Sequence, residues 1–147
     1  MLTRILLAAP NSRAVALHQA FLTRLGFDVT VCGDGLDCAE RLRRDQPDLL
    51  VLALELPWGR GEGVLALMAD GDLPRIPVVL LTECPYPLRV AAAILATVRT
   101  LVPWPAPPRL LGQAVRGALS VDAFGHVASE TDSRADEWSV APPRPLL

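Results

Sequence analysis

Pro47-Asp48-Leu49-Leu50-Val51-Leu52-Ala53 is the stretch on which the fold turns. From Leu49 to Ala53 every residue is apolar, with no polar alternation, and such a run describes a strand covered on both faces in the middle of a parallel sheet. Working outward, similar short runs recur at Arg4–Ala8, Asp28–Cys32, Pro77–Thr82 and, more briefly, Leu101–Val102. Segments of helical period separate them. Asn11 or Ser12 can cap a first helix with Ala14, Leu17, Phe21 and Leu25 inward, and Gly26 stands where a left-handed residue ends it. Asp34 can cap a second, with Leu36, Ala39 and Leu42 inward and Arg41, Arg43 and Arg44 mostly on a solvated face. After a loop holding Pro57, Trp58, Gly59 and Gly61, a third helix is expected over Gly63–Ala69 and a fourth over Leu88–Val98. Pro108 suits the start of a fifth, marked by Leu110, Leu111, Ala114, Val115 and Leu119. Strand and helix thus alternate as (βα)5, the sequence form of an α/β, doubly wound parallel sheet.

The chain has 147 residues, 51% hydrophobic and 20% charged, which suits one domain and leaves no room for two independent enzymatic ones. The pattern fails after residue 119, so residues 1–119 form the domain and 120–147 a flexible acidic, Pro-rich tail too short for a helix-turn-helix output domain. All 14 basic residues are Arg and the formal charge is -2, so nothing attracts a polyanion. Nucleic acid and anionic membrane are therefore not expected partners. Cys32, Cys38 and Cys84 make no C-x-x-C pair, which indicates neither zinc nor a disulfide framework and fits a reducing cytoplasm. The apolar run Ile5–Ala9 is below the roughly 7 residues of a signal-peptide core, and Leu88–Val102, broken by Arg89 and Arg99, is below the roughly 20 that span a bilayer.

Four stretches, in this order and spacing, carry a resemblance to response-regulator receiver domains of bacterial two-component systems. They are Arg4-Ile5-Leu6-Leu7, Leu25-Gly26-Phe27-Asp28-Val29, Pro47-Asp48-Leu49-Leu50-Val51-Leu52 with the following Pro57, and Ile76-Pro77-Val78-Val79-Leu80-Leu81-Thr82. The resemblance covers residues 3 to about 119. It implies a flavodoxin-like sheet in the order 2-1-3-4-5, with a phosphorylation site at the carboxyl ends of the strands. At that site the chain departs from the pattern. The resemblance assigns two Mg²⁺-binding acids to Ala9 and Pro10, whose side chains offer no oxygen. It assigns the phosphoacceptor Asp to Ala53, which has no carboxylate on which an acyl-phosphate can form. It assigns the phosphate-pairing Lys to Trp104, before Pro105, and an aromatic reporter to Leu101. Thr82 matches as the switch hydroxyl, as does Pro105, whose preceding peptide bond is often cis in the family, and Glu83 follows Thr82 where the family prefers a small residue. These are the marks of a degenerate pseudo-receiver.

Other features have two readings each. Trp58 and Trp104 either plug the vacated pocket or line a ligand site with Thr82. Glu55, Glu62 and Glu83 surround the same edge without a His or Cys partner, so they build no legible catalytic or metal site, and Glu55 reads as solvated. His18, beside Leu17, reads as partly exposed, and His126 falls in the tail. Cys84 reads as a small apolar filler. The nearly chargeless fourth helical segment either supplies bland helix propensity or forms, through Leu88, Ala91, Ala92, Leu95 and Leu101, an interaction face. In the family the fourth helix, fifth strand and fifth helix form the face through which receivers dimerise or meet partners. The expected function is that of a non-phosphorylatable adaptor in bacterial signalling, not an enzyme, needing no cofactor or metal. Its partners are signalling proteins or a second copy. The alternative is a small-molecule sensor using the pocket near Trp58, Thr82 and Trp104.

Overall fold

The described residues of the computed structural model are 2–83 and 97–123. Five strands, β1 (Arg4–Ala8), β2 (Asp28–Cys32), β3 (Leu49–Ala53), β4 (Val78–Thr82) and β5 (Val98–Pro103), pair in parallel in the order β2-β1-β3-β4-β5. The doubly wound order expected from the resemblance is therefore the one observed. β3 lies at the centre, its Leu50 aligned with Leu6 of β1 and Val78 of β4, and all five of its residues are buried. Four helices are described: α1 (Arg13–Arg24), α2 (Gly35–Asp45), α3 (Arg60–Ala69) and α4 (Pro108–Ala123). The last is the fifth helical segment of the sequence pattern and runs past residue 119, into the expected tail. The expected fourth segment lies outside the described residues as far as 96. Its final residue, Val98, instead opens β5, which is longer than the expected pair Leu101–Val102.

Alternation along the strands feeds two cores. Leu6, Leu50, Leu52, Val78 and Leu80 face α2 and α3, packing with Leu42, Leu65 and Met68. Ile5, Leu7, Leu49, Val51, Val79 and Leu81 face α1 and α4, packing with Val15, Leu22, Leu111 and Val115. Each fully buried Leu contributes about 1.5–3 kcal/mol relative to exposure, so these two layers supply most of the drive to fold. At residue 112 a Cβ would lie 3.0 Å from the Phe21 ring, and Gly112 thereby lets α4 settle closely on α1.

The helices sit as the caps dictate, but two inward faces differ from the expected ones. Ser12, rather than Asn11, caps α1, its hydroxyl accepting from the Val15 N–H at 3.2 Å. The buried stripe of α1 is Val15, His18 and Leu22, while Leu17 is 58% exposed, because the helix is rotated by one residue from the Ala14–Leu17–Phe21 face. In α2, capped by Asp34, Cys38 takes the inward place and Leu36 is 70% exposed. Arg43 and Arg44 do face solvent, and Arg41 and Arg44 pair with Asp37 and Asp45 on their own helix at 3.2 Å. α3 begins three residues before the expected Gly63, and Gly26 closes α1 with φ +102°, as its position requires. Among the described residues no helix is long and apolar enough to cross a membrane.

Candidate functional site

The carboxyl ends of β1, β3, β4 and β5 converge on one edge, the place where open α/β sheets hold their ligands. Two of the residues that the resemblance assigns to acids are there and buried: Ala9, after β1, and Ala53, at the end of β3, belong to the same apolar cluster. Pro10, beside Ala9, is exposed. Trp104 is half-buried and packs against that cluster, which is apolar where the resemblance leads one to expect charged groups. Its backbone N–H donates to the Thr82 carbonyl at 2.8 Å, fastening the segment after β5 to the end of β4, and its bond to Pro105 is cis. Among the described residues no group of three or more His, Cys, Asp or Glu is gathered in a way that could hold a metal ion.

Thr82 is fully buried, and its hydroxyl donates to a carboxylate oxygen of Glu55 at 3.0 Å. The other oxygen of Glu55 accepts from the Glu83 N–H at 3.4 Å. Glu55 is therefore not the solvated carboxylate that its loop position suggests; it closes the β3–α3 loop onto the end of β4. The side chain is carried by the turn that follows β3, in which the Leu56 N–H returns to the Ala53 carbonyl at 3.3 Å. Gly61 completes the turn, since a Cβ there would lie 2.6 Å from the Ala53 oxygen and 2.9 Å from Leu54 Cα, both backbone atoms.

Trp58 is the clearest departure. The backbone is left-handed at three successive residues, Trp58 (φ 56°), Gly59 (97°) and Arg60 (57°), and the indole is 72% exposed. So exposed a ring does not plug the space beneath it, contrary to the packing reading. Its loop instead lies against the start of α2, where the Gly35 N–H donates to the Pro57 carbonyl at 2.8 Å. Glu62 pairs with Arg60 at 3.4 Å. Leu101 is half-buried on β5 and packs on the α2–α3 side, whereas Leu88, Ala91, Ala92 and Leu95 of the expected interaction face, with Cys84, His126 and the tail from residue 124, lie outside the described residues.

His18 is the residue that sequence patterning misplaces. It is 2% exposed, its Nε2 donates to the Ala106 carbonyl at 2.9 Å, and its ring lies 4.7 Å from that of Trp104, tilted by 44°. Burial lowers its pKa from the ordinary 6.5, against the opposing effect of the Ala106 bond. The signal available was that a helix stripe through Val15, His18 and Leu22 fits a 3.6-residue period as well as one through Leu17. Cys32 and Cys38 are both buried thiols; hydrogen bonding to Cys32, then burial, pushes the Cys38 thiol far up and leaves it protonated. They act as packing, not as nucleophiles.

No protein-family model matches the chain. Regulatory protein LuxO of Vibrio cholerae is 37% identical over 72 residues, which are 49% of this chain and 16% of LuxO. Transcriptional regulatory protein CseB of Streptomyces avermitilis is 32% identical over 124 residues, 84% of this chain and 51% of CseB. The chain thus spans from about a sixth to about half the length of these two relatives. Among solved structures, the signal receiver domain of a putative LuxO repressor protein from Vibrio parahaemolyticus superposes with a TM-score of 0.73 at 21% identity, covering 86% of this chain and 97% of that one. A CheY-like response-regulator receiver domain from Methanospirillum hungatei gives 0.72 at 18% identity, covering 82% and 95%. Strand order, helix placement and these likenesses give the chain the fold of a response-regulator receiver (CheY-like) domain.

Proposed function

We propose that this receiver domain signals without phosphoryl transfer, as an adaptor that works by contact with a signalling protein or with a second copy of itself. The observation that carries the reading is the engagement of Glu55 by the Thr82 hydroxyl and the Glu83 amide. It occurs at an edge where the positions expected to hold acids and a cation are Ala9, Pro10, Ala53 and Trp104. An acyl-phosphate needs a carboxylate nucleophile at the end of β3, and a methyl group cannot supply one. Mg²⁺ needs oxygen ligands, and the two positions after β1 present none from their side chains. A tetrahedral phosphoryl group brought to Thr82 would also meet the Glu55 carboxylate and the neighbouring Glu83, and like charges repel. No catalytic role and no cofactor enter this reading. The ligand-sensor alternative draws less support, because Trp58 is turned to solvent while Trp104 is engaged with α1.

The test is incubation of the full chain with acetyl phosphate and Mg²⁺, followed by intact-mass measurement, with tryptophan emission recorded while Mg²⁺ and then beryllofluoride are added. Unchanged mass and flat emission, on a protein that melts cooperatively, are the expected results. Incorporation of a phosphoryl group, or a saturable Mg²⁺-dependent change, would sink the proposal and point to Glu55 or Glu83 as a rebuilt site.

A further inference from the structure

His18 is the one titratable side chain among the described residues that is almost wholly buried with half of its hydrogen-bonding capacity unmet: Nδ1 has no partner. Because a carbonyl only accepts, the bond to Ala106 fixes the proton of the neutral ring on Nε2 and leaves Nδ1 as a bare lone pair. Protonation can occur only there. The product is a cation whose new N–H has no acceptor, in a place walled by the Trp104 ring and the apolar cluster under α1 and α4. Among the described residues no anion is at hand to offset it. The charged residues of the helices packed there are Arg13 and Arg24 on α1 and Arg109 and Arg116 on α4, all exposed and cationic, with the acid Asp122 at the opposite end of α4 from the Ala106 segment; the segment 103–108 carries no charge.

The same ring is the fastening between two parts of the chain that are far apart in sequence. It joins α1 to the segment after β5, and that segment in turn donates its Trp104 N–H to the Thr82 carbonyl at the site edge. A charge placed on His18 is relieved if the ring swings out to water, which gives up both the Ala106 bond and the contact with Trp104. We propose that His18 is an acid-sensitive latch, whose protonation at Nδ1 frees residues 104–106 from α1 and loosens the carboxyl edge beside Thr82. This goes beyond the adaptor reading and does not depend on it.

The sign follows from the two states. With the ring released, His18 titrates near the ordinary 6.5; with it latched, burial holds the pKa lower. The released form therefore binds more protons, and the latch is fully effective above 6.5 and is lost as the pH falls from there toward the latched value. Within that window a one-proton opening grows by up to about tenfold per pH unit.

The experiment uses the full chain with Trp58→Phe and Trp138→Phe, which leaves Trp104 as the sole indole. Its emission is followed from about pH 8 to about pH 5, in parallel with amide exchange of Trp104 corrected for the intrinsic pH dependence. The expected result is a one-proton change in Trp104 emission with its midpoint below 6.5, accompanied by faster exchange. The transition should vanish in His18→Gln, whose amide can still donate to Ala106 but does not titrate. Persistence of the transition in His18→Gln overturns the proposal. So does flat Trp104 exchange in the otherwise unsubstituted chain down to the pH of global unfolding, a measurement that stands even if His18→Gln does not fold.

Discussion

Glu55 shows how one side chain changes the meaning of a site. A carboxylate two residues beyond Ala53 would be inert in solvent, yet here it holds both a buried hydroxyl and the next backbone amide. Removing it by Glu55→Ala leaves the Thr82 hydroxyl with one bond fewer, and hydrogen bonds to a charged group contribute about 1.5–3 kcal/mol each when well formed. Since Glu55 is only half-buried, solvent screening discounts that range to about 1–2 kcal/mol lost in chemical denaturation, with an unchanged denaturant slope. Glu55→Gln, which keeps an acceptor oxygen for Thr82, should recover about half of the loss. Equal stability of all three proteins would mean that the carboxylate contributes nothing. The identity of this carboxylate's partners was not legible in the sequence, because Glu55 and Thr82 meet only when β3 and β4 pair; that Ala9, Pro10 and Ala53 stand where the resemblance assigns acids could be read, because the family pattern and the spacing along the chain name those positions.

Among the elements, α1 is where local and tertiary preference part company. Its start is set locally: Ser12→Ala should cost about 0.5–2 kcal/mol by denaturation, whereas Asn11→Ala, one residue outside the cap, should leave the midpoint where it is. Its facing is set by what it packs on. Leu17 is the better hydrophobe, yet His18 lies inward because it finds the Ala106 carbonyl and the Trp104 ring, partners 86 and more residues away that no helical periodicity encodes. The strands were easier to read for the opposite reason. β1 and β3 are covered on both faces, so continuous apolar runs mark them without ambiguity, while β5, an edge strand with Arg99 and Thr100 inside it, shows only its apolar pair Leu101–Val102. The start of α3 was missed because its cap, Gly59, offers no side-chain hydrogen bond and the turn before it is left-handed, features that leave little trace in composition.

At the scale of the molecule, stability rests on β3 holding two cores apart. Leu50 is wholly buried on the α2–α3 side between Leu6 and Val78, so Leu50→Ala should destabilise by about 2–5 kcal/mol, read as a shift of the thermal or urea midpoint. A smaller loss would mean that α2 and α3 collapse into the space left behind. The sheet order and its layers follow from patterning that repeats over the whole domain, which is why they were readable, whereas the chemistry of the edge depends on loops of a few residues.

The two margins of the sheet differ in a way that bears on assembly. Between β4 and β5 the pairing slips, with Val78 opposite Val98 and Val79 opposite Thr100, so that Arg99 is an extra, exposed and charged residue in the outermost strand. A kinked, charged margin is a poor template for another chain to extend by main-chain pairing. Two copies of this domain meeting on the β5 side should therefore associate through side chains alone, and remain separable, rather than fuse into a continuous ten-stranded sheet.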